Sequence, residues 1–302
     1  MKNLKGSLIL FVAAFLWGTT FVAQVNGTSN IGVFTYNAGR CFVGCIFLFF
    51  LAMIRDRIVP VKEQNEAVNA KWPVKGGILC GVVMFGAMTL QQGGISIYPA
   101  SVAAAGRAGF LTAVYVVIVA AVVAIGNRKM ELLVCLSVIG TLFGMYLLCL
   151  RDGFSGIYMG DILCLCCAFC FAGHILVVDH FKGADSIRLS CIQFLVAGLL
   201  SFIMSLFTEK LVIAELSSAM SSILYAGILS SGIAYTLQMI GQKYARPAVA
   251  AIVMSLESVI AVIAGAVVLH EVLAGREIAG CVVVFISVIL AQIPEFLKKG
   301  QQ

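Results

Sequence analysis

The sequence predicts an all-α integral membrane protein of ten transmembrane helices, arranged as two inverted five-helix repeats. Three observations predict it. Of 302 residues, 61% are hydrophobic and only 11% charged, whereas soluble domains are about half apolar and a quarter charged. The apolar residues gather in runs close to the ~20 residues that cross a bilayer core of about 30 Å. The second half of the chain also repeats features of the first.

The elements follow in order. Span one, 7–25, follows Lys2 and Lys5 and runs on through Trp17 to Val25 without a small-residue cleavage site, so it reads as a retained helix. Residues 6–39 carry no charge, and Asn26-Gly27-Thr28-Ser29-Asn30 divides them, which starts span two at 33 and runs it to 54. The uncharged run 76–106 breaks at Tyr98-Pro99, giving spans 74–97 and 100–125. The remaining spans are 131–150, 160–179, 187–208, 221–243, 248–270 and 277–294. Continuous runs exclude a membrane β-barrel, whose strands alternate apolar and polar residues over about ten positions.

Charge placement sets the orientation. With the N-terminus cytoplasmic, Lys2, Lys5, Arg55, Arg57, Lys62, Lys71, Lys75, Arg128, Lys129, Lys182, Arg188, Lys243, Arg246, Lys298 and Lys299 share one side. Only Arg151, Lys210 and Arg276 fall on the other, and Arg40 and Arg107 lie inside spans. This bias predicts a multi-pass cell-membrane protein with both termini cytoplasmic. Positions 28, 154 and 212 are then outside, and 65, 184 and 300 inside. The formal net charge of +6 follows from topology and calls for no nucleic-acid partner.

Eleven cysteines include Cys164, Cys166, Cys167, Cys170 and Cys191, set among apolar residues. Metal-binding thiolates need an electropositive setting, so these read as small apolar side chains, with no metal and no cofactor. The odd count argues against a disulfide framework.

The repeat is visible at nearly constant offsets. Thr89-Leu90-Gln91 and Gly94 recur as Thr236-Leu237-Gln238 and Gly241, and Val102-Ala103-Ala104 as Val249-Ala250-Ala251, all 147 residues later. Gly6 and Ala14-Phe15 recur as Gly160 and Ala168-Phe169 at an offset of 154, and Arg40 meets Gln193 at 153. The predicted units are 1–150 and 151–302. Each holds an odd number of spans, so the second enters the membrane in the opposite sense. Inverted repeats of this kind place binding sites near the midplane between the two halves.

The stretches FLWGTTFVAQ at 15–24, YNAGRCFVG at 36–44, GDILCLCCAFCFAGHILVVDH at 160–180 and AAIVMSLESVIAVIAGAVVLHEVLAGREIAG at 250–280 resemble the drug/metabolite transporter superfamily, EamA type, over nearly the whole chain. The resemblance implies a ten-helix inverted-repeat fold that moves small metabolites, often outward, through a central cavity. It also implies that spans five and ten pack peripherally. One departure is the family's Glu-Pro pair in span nine, which is Glu257-Ser258 here, so a proline kink is not expected at that point.

Candidate substrate-binding residues are the polar and aromatic groups inside spans. A charge at helix centre costs about 2.5–3.5 kcal/mol on insertion scales, which makes intramembrane ionisable residues functional candidates. Arg107, about 10 Å into span four at 1.5 Å per residue, is flanked by Ala103, Ala104, Gly106, Ala108 and Gly109 and is expected to face a cavity. Its candidate partner is Glu257, the acidic residue at the centre of a span and the leading group for coupling to protons. Asp161 and Asp179 lie at span ends, where capping suffices.

Trp17, Thr20 and Gln24 share a face of span one, Asn37 and Arg40 a face of span two. Gln91 and Gln238 are repeat-related, and Tyr235 lies one turn before Gln238. His174 stands near the repeat position of Thr20, and Tyr115 nearly on the face of Arg107. Interhelical hydrogen bonds worth about 1 kcal/mol are the competing role for the amides and hydroxyls. A hydrogen-bonded core histidine is the competing role for His174.

The chain lacks a His-Glu-x-x-His motif, a nucleophile elbow and a P-loop, so neither an enzyme nor a self-contained ATP-driven pump is expected. A channel should show a charged ring or filter, and none is evident. A channel-like or non-transporting structural or sensory protein is the alternative to a secondary transporter. The expected partners are the lipid bilayer, a small zwitterionic or aromatic substrate and a coupling proton or sodium ion, with room for a homodimer.

Overall fold

The computed structural model describes residues 2–27, 31–58, 72–99, 104–127, 132–149, 158–210, 213–268 and 275–297. The expected loop positions 28, 65, 154, 212 and 300 lie outside them, as do Lys62, Lys71, Arg128, Lys129, Arg151, Lys298 and Lys299.

Ten helical spans are described. They are α1 (Lys2–Gly27), α2 (Val33–Ile58), α3 (Val74–Ser96), α4 (Ala104–Ala113 continued by Tyr115–Asn127) and α5 (Leu132–Cys149). The second five are α6 (Met159–His180), α7 (Ser186–Thr208), α8 (Ile213–Tyr225, the wide-turned Ala226–Ala234, and Tyr235–Gln242), α9 (Pro247–Met254 continued by Leu256–Val268) and α10 (Gly275–Leu297). Eight are long and apolar enough to cross a membrane, and α5 and α10 hold the shorter apolar stretches Leu132–Leu147 and Ile278–Leu290. Large apolar side chains such as Leu8, Phe50, Phe143, Phe169 and Phe207 are exposed, as a lipid-facing surface requires. The boundaries match the sequence expectation closely except for α8. It starts at Ile213 because Glu215, Ser217 and Ser218 dilute the apolar run without breaking the helix.

The packing obeys the inverted repeat. α1 lies on α8 and α9, and its counterpart α6 on α3 and α4; α2 pairs with α7, and α5 with α10. Lipid is as apolar as leucine, so close approach through small residues drives this packing. A Cβ at Gly6 would stand 2.8 Å from Tyr244 Cβ and 3.0 Å from Gly241 O. At the repeat-related crossing, a Cβ at Gly94 would stand 2.9 Å from Gly160 O. The recurring glycines of the sequence are therefore the places where α1 crosses α8 and α6 crosses α3. α5 and α10 meet through Gly144, where a Cβ would lie 2.9 Å from Gly280 O, at the periphery of the bundle.

Because the spans alternate in direction, Lys5, Arg55, Arg188 and Lys243 share one end, called the basic end below.

Candidate functional site

A cavity that, with the solvent space at its mouth, encloses about 490 Å³ lies between the two halves. α1 contributes Trp17, Thr20, Phe21 and Gln24, α2 Arg40, α3 Gln91, and α4 Thr112 and Tyr115. From the second half, α6 adds Phe171 and Ile175, α8 Ser230, Tyr235 and Gln238, and α9 Met254 and Glu257.

Local backbone features put these groups on the wall. The helical turn of α4 is interrupted at Val114, whose N–H reaches Leu111 O at 3.4 Å, and that of α9 at Ser255, so Ser258 N bonds Ser255 O at 3.1 Å. The cavity residue Tyr115 follows the first interruption directly, and Glu257 lies just beyond Leu256 after the second. Tyr115 Oη donates to Glu257 Oε1 at 3.4 Å. α9 is thus interrupted without the family's proline, and Ser258 Oγ donates to the same backbone carbonyl, Ser255 O, at 2.7 Å. In α8 the wide turns of Ala226–Ala234 rotate Ser230 onto the wall, a use of π-turns common at functional sites.

Arg40 is 2% exposed and its Nε has no hydrogen-bond partner. Its guanidinium lies 5.6 Å from the centre of the Tyr36 ring. Among the described residues it makes no ion pair, and neither does Glu257, which is 6% exposed. Trp17 Nε1 and Gln238 Oε1 are also unpartnered. Trp17 and Tyr235 form a tilted ring pair 4.7 Å apart. Thr20 Oγ1 donates to Leu16 O at 2.6 Å, and Gln91 Nε2 to Thr112 Oγ1 at 3.3 Å. The cavity therefore offers a guanidinium, a carboxylate, an indole N–H and an amide oxygen around an aromatic wall.

Of the residues expected from sequence, Trp17, Thr20, Gln24, Arg40, Gln91, Tyr115, Tyr235, Gln238 and Glu257 meet in this cavity. Asn37, Arg107 and His174 do not line it. Asn37 is fully buried with both amide atoms unpartnered, and nothing in the structure explains it. His174 Nε2 bonds Gln193 Oε1 at 2.7 Å, and its ring stands edge-on to Tyr235 at 5.9 Å.

Arg107 corrects the sequence expectation: its partner is Asp161 and not Glu257. Nε donates to Oδ1 at 2.6 Å and Nη2 to Oδ2 at 2.7 Å, while Tyr98 Oη donates to Oδ1 at 2.7 Å. Asp161 also accepts from Tyr158 N at 2.9 Å, and Arg107 lies 4.9 Å over the Tyr158 ring. Arg107 is one turn from Ala104 in the described helix, and helical side chains lean toward the N-terminus. It therefore reaches the end of α6 and leaves Arg40 as the cavity's cation. Phe21, Thr112, Phe171, Ile175, Ser230 and Met254 are wall residues that sequence reasoning missed. The threonine and serine signals are common in any span, and the apolar ones look like lipid-facing residues.

An uncharacterized transporter of Archaeoglobus fulgidus (strain ATCC 49558 / DSM 4304 / JCM 9628 / NBRC 100126 / VC-16) is 26% identical over 295 residues, covering 97% of this chain and 87% of its own. The uncharacterized transporter YoaV of Bacillus subtilis (strain 168) is 20% identical over 286 residues, covering 93% and 94%. A solved crystal structure superposes with a TM-score of 0.77 at 17% identity, covering 96% of both chains, which shows the same fold. The EamA-like transporter family model matches residues 4–150 and 158–292. With two matches spanning both halves of the bundle around one shared cavity, the chain belongs to the EamA-like transporter family, and it is a multi-pass membrane transporter.

Proposed function

We propose that the protein is a secondary active transporter that exports small metabolites, amino acids among them, across the cell membrane by alternating access to this cavity. The observation that carries the reading is the presence of Arg40 and Glu257 on one wall-to-wall cavity, both buried and neither ion-paired. An uncompensated buried charge costs several kcal/mol. A zwitterion satisfies both charges, its carboxylate on the guanidinium fork and its ammonium on Glu257. Trp17 and Tyr235 supply a face for an aliphatic or aromatic side chain. Glu257 also supports coupling, since a proton and the substrate's ammonium compete for one carboxylate. Loading substrate from the cytoplasm then displaces a proton that entered from outside.

The test is a thermal-shift series on the purified protein with L-phenylalanine, 3-phenylpropionate and phenethylamine, repeated on the L-leucine skeleton. A ligand at 100 times its Kd stabilises by about 2.7 kcal/mol. The zwitterions should raise Tm and the singly charged analogues should not. Equal stabilisation by the acids or the amines would sink the two-charge reading.

A further inference from the structure

α2 and α7 are tied to each other at both ends and in the middle, and the tie of Asp56 to Arg188 corresponds under the repeat to that of Glu209 to Thr35, whereas the Arg55–Asp185 and Cys45–Cys191 contacts fall opposite Thr208 with Gly32 and Gly198 with Ala38. The offset of 153 that sets Arg40 against Gln193 also sets Asp56 against Glu209 and Thr35 against Arg188. At the basic end, Arg188 Nη2 donates to Asp56 Oδ2 at 2.6 Å, and Arg55 Nη1 donates to Asp185, which caps α7 by accepting from Arg188 N at 2.8 Å. At the opposite end, Glu209 accepts from Phe34 N and Thr35 N at 2.8 Å each and from Thr35 Oγ1 at 2.7 Å. A carboxylate at the end of each helix thus holds the first turn of the other, Glu209 through N–H groups that the helix dipole makes favourable for an anion and Asp56 through the Arg188 guanidinium. Between them Cys45 Sγ lies 3.7 Å from Cys191 Sγ.

The Arg107–Asp161 pair differs. It joins α4 to α6 at the end away from the basic one, and the repeat-related positions are Met254 and Ser7, which cannot form an ion pair. In an inverted-repeat protein, one repeat rocks against the other around a fixed site, and the second access state arises when the halves exchange conformations. A tie between the halves whose repeat-related counterpart is also formed survives the exchange, whereas a tie without a counterpart is not required in the second state.

We propose that the α2–α7 pair stays assembled through the whole transport cycle, as the axis about which the remaining cavity helices rearrange, while Arg107–Asp161 is a tie that opens. The inference rests on the alternating access proposed above. Hydrogen–deuterium exchange of the full chain in lipid nanodiscs, read in peptides of α3, α4, α8 and α9, reports access at each end without a substrate. Asp56→Asn and Glu209→Gln each weaken one tie. Both should lower Tm by a few degrees and leave the exchange at the two ends unchanged relative to each other, whereas Arg107→Gln should raise exchange several-fold at its own end. If Asp56→Asn opened only the basic end and Glu209→Gln only the opposite one, the ties would be alternating gates and the proposal would fall.

A second measurement holds even if those variants misfold. In a variant retaining only Cys45 and Cys191, copper phenanthroline with oxygen joins the two thiols as a disulfide, releasing two protons and passing two electrons to the oxidant. The bond should form, and the bridged protein should keep its exchange at both ends. Failure of the bond to form, or loss of exchange at one end on bridging, would overturn the axis. Exchange confined to one end in the unbridged, unmodified protein would overturn alternating access itself, and the axis with it.

Discussion

Arg107 gives two edges of its guanidinium to one carboxylate, Asp161, and stacks on Tyr158. Arg40 is more deeply buried and has no such partner. The two cations therefore predict opposite mutational signatures. Arg107→Ala strands Asp161, whose side chain is only 8% exposed, and breaking a buried pair costs about 3–5 kcal/mol. Thermal unfolding in detergent should show a large fall in Tm, with partial recovery when Arg107→Asp is combined with Asp161→Arg. Arg107→Lys should fall between, because an ammonium keeps the charge but not the bidentate fork. Arg40→Gln, which copies its repeat mate Gln193, removes an uncompensated charge. Its Tm should be unchanged or higher while the L-phenylalanine-induced shift disappears. A fall in Tm of Arg107→Ala size would show that Arg40 serves the fold.

The irregular turns of α4, α8 and α9 bring Tyr115, Ser230 and Glu257 to the cavity wall. Ser258 stands where the family's Glu-Pro pair has proline, and its N–H already bonds Ser255 O at 3.1 Å, three residues back. It lies in the first turn of Leu256–Val268, where proline is tolerated. Ser258→Pro should therefore cost about 1 kcal/mol, the worth of that one hydrogen bond, against about 3 kcal/mol or more for Val262→Pro deeper in the same helix. Comparable losses of Tm in the two variants would show that α9 is a continuous helix. Gly18→Ala tests the crossing of α1 over this interruption. Its Cβ would stand 2.5 Å from Ile260 Cβ and 2.7 Å from Glu257 O, a backbone neighbour that cannot yield cheaply. Overpacking should cost about 1–3 kcal/mol and displace Glu257, lowering both Tm and binding. The number of spans, their ends apart from the start of α8, and the repeat were legible because each rests on local apolar runs or recurring glycines. The depth of Arg107 was not, since a long side chain reaches a turn beyond its own Cα. Nor was Ser230, whose facing depends on wide turns that no apolar period announces.

Viewed as one body, the bundle is two-fold in its packing and in the Asp56 and Glu209 ties of α2 to α7, and one-sided in its Arg107–Asp161 pair and its charge. The basic end is cytoplasmic if the positive-inside bias governs insertion. Cysteine labels at residues 28, 154 and 212 should then react from outside intact cells, and labels at 65, 184 and 300 only after permeabilisation; the reversed pattern would invert the orientation. That orientation fixes the sense of any coupling through Glu257. The residue sits at the cavity wall, bonded by Tyr115, with Arg40 across the same space. In the proposed cycle, a carboxyl there exchanges its proton with whichever side the cavity faces, and the substrate's ammonium displaces that proton when it binds. Glu257→Gln holds the group in a protonated-like state. In inside-out vesicles it should abolish L-phenylalanine accumulation driven by a pH gradient, while counterflow exchange, which needs no net proton movement, persists in part. A merely structural carboxylate predicts a different pattern, in which folded yield, accumulation and counterflow fall together. Undiminished gradient-driven accumulation in well-folded Glu257→Gln vesicles would remove Glu257 from the coupling step and leave His174, held by Gln193 beside the cavity wall, or a sodium ion as the carrier to test.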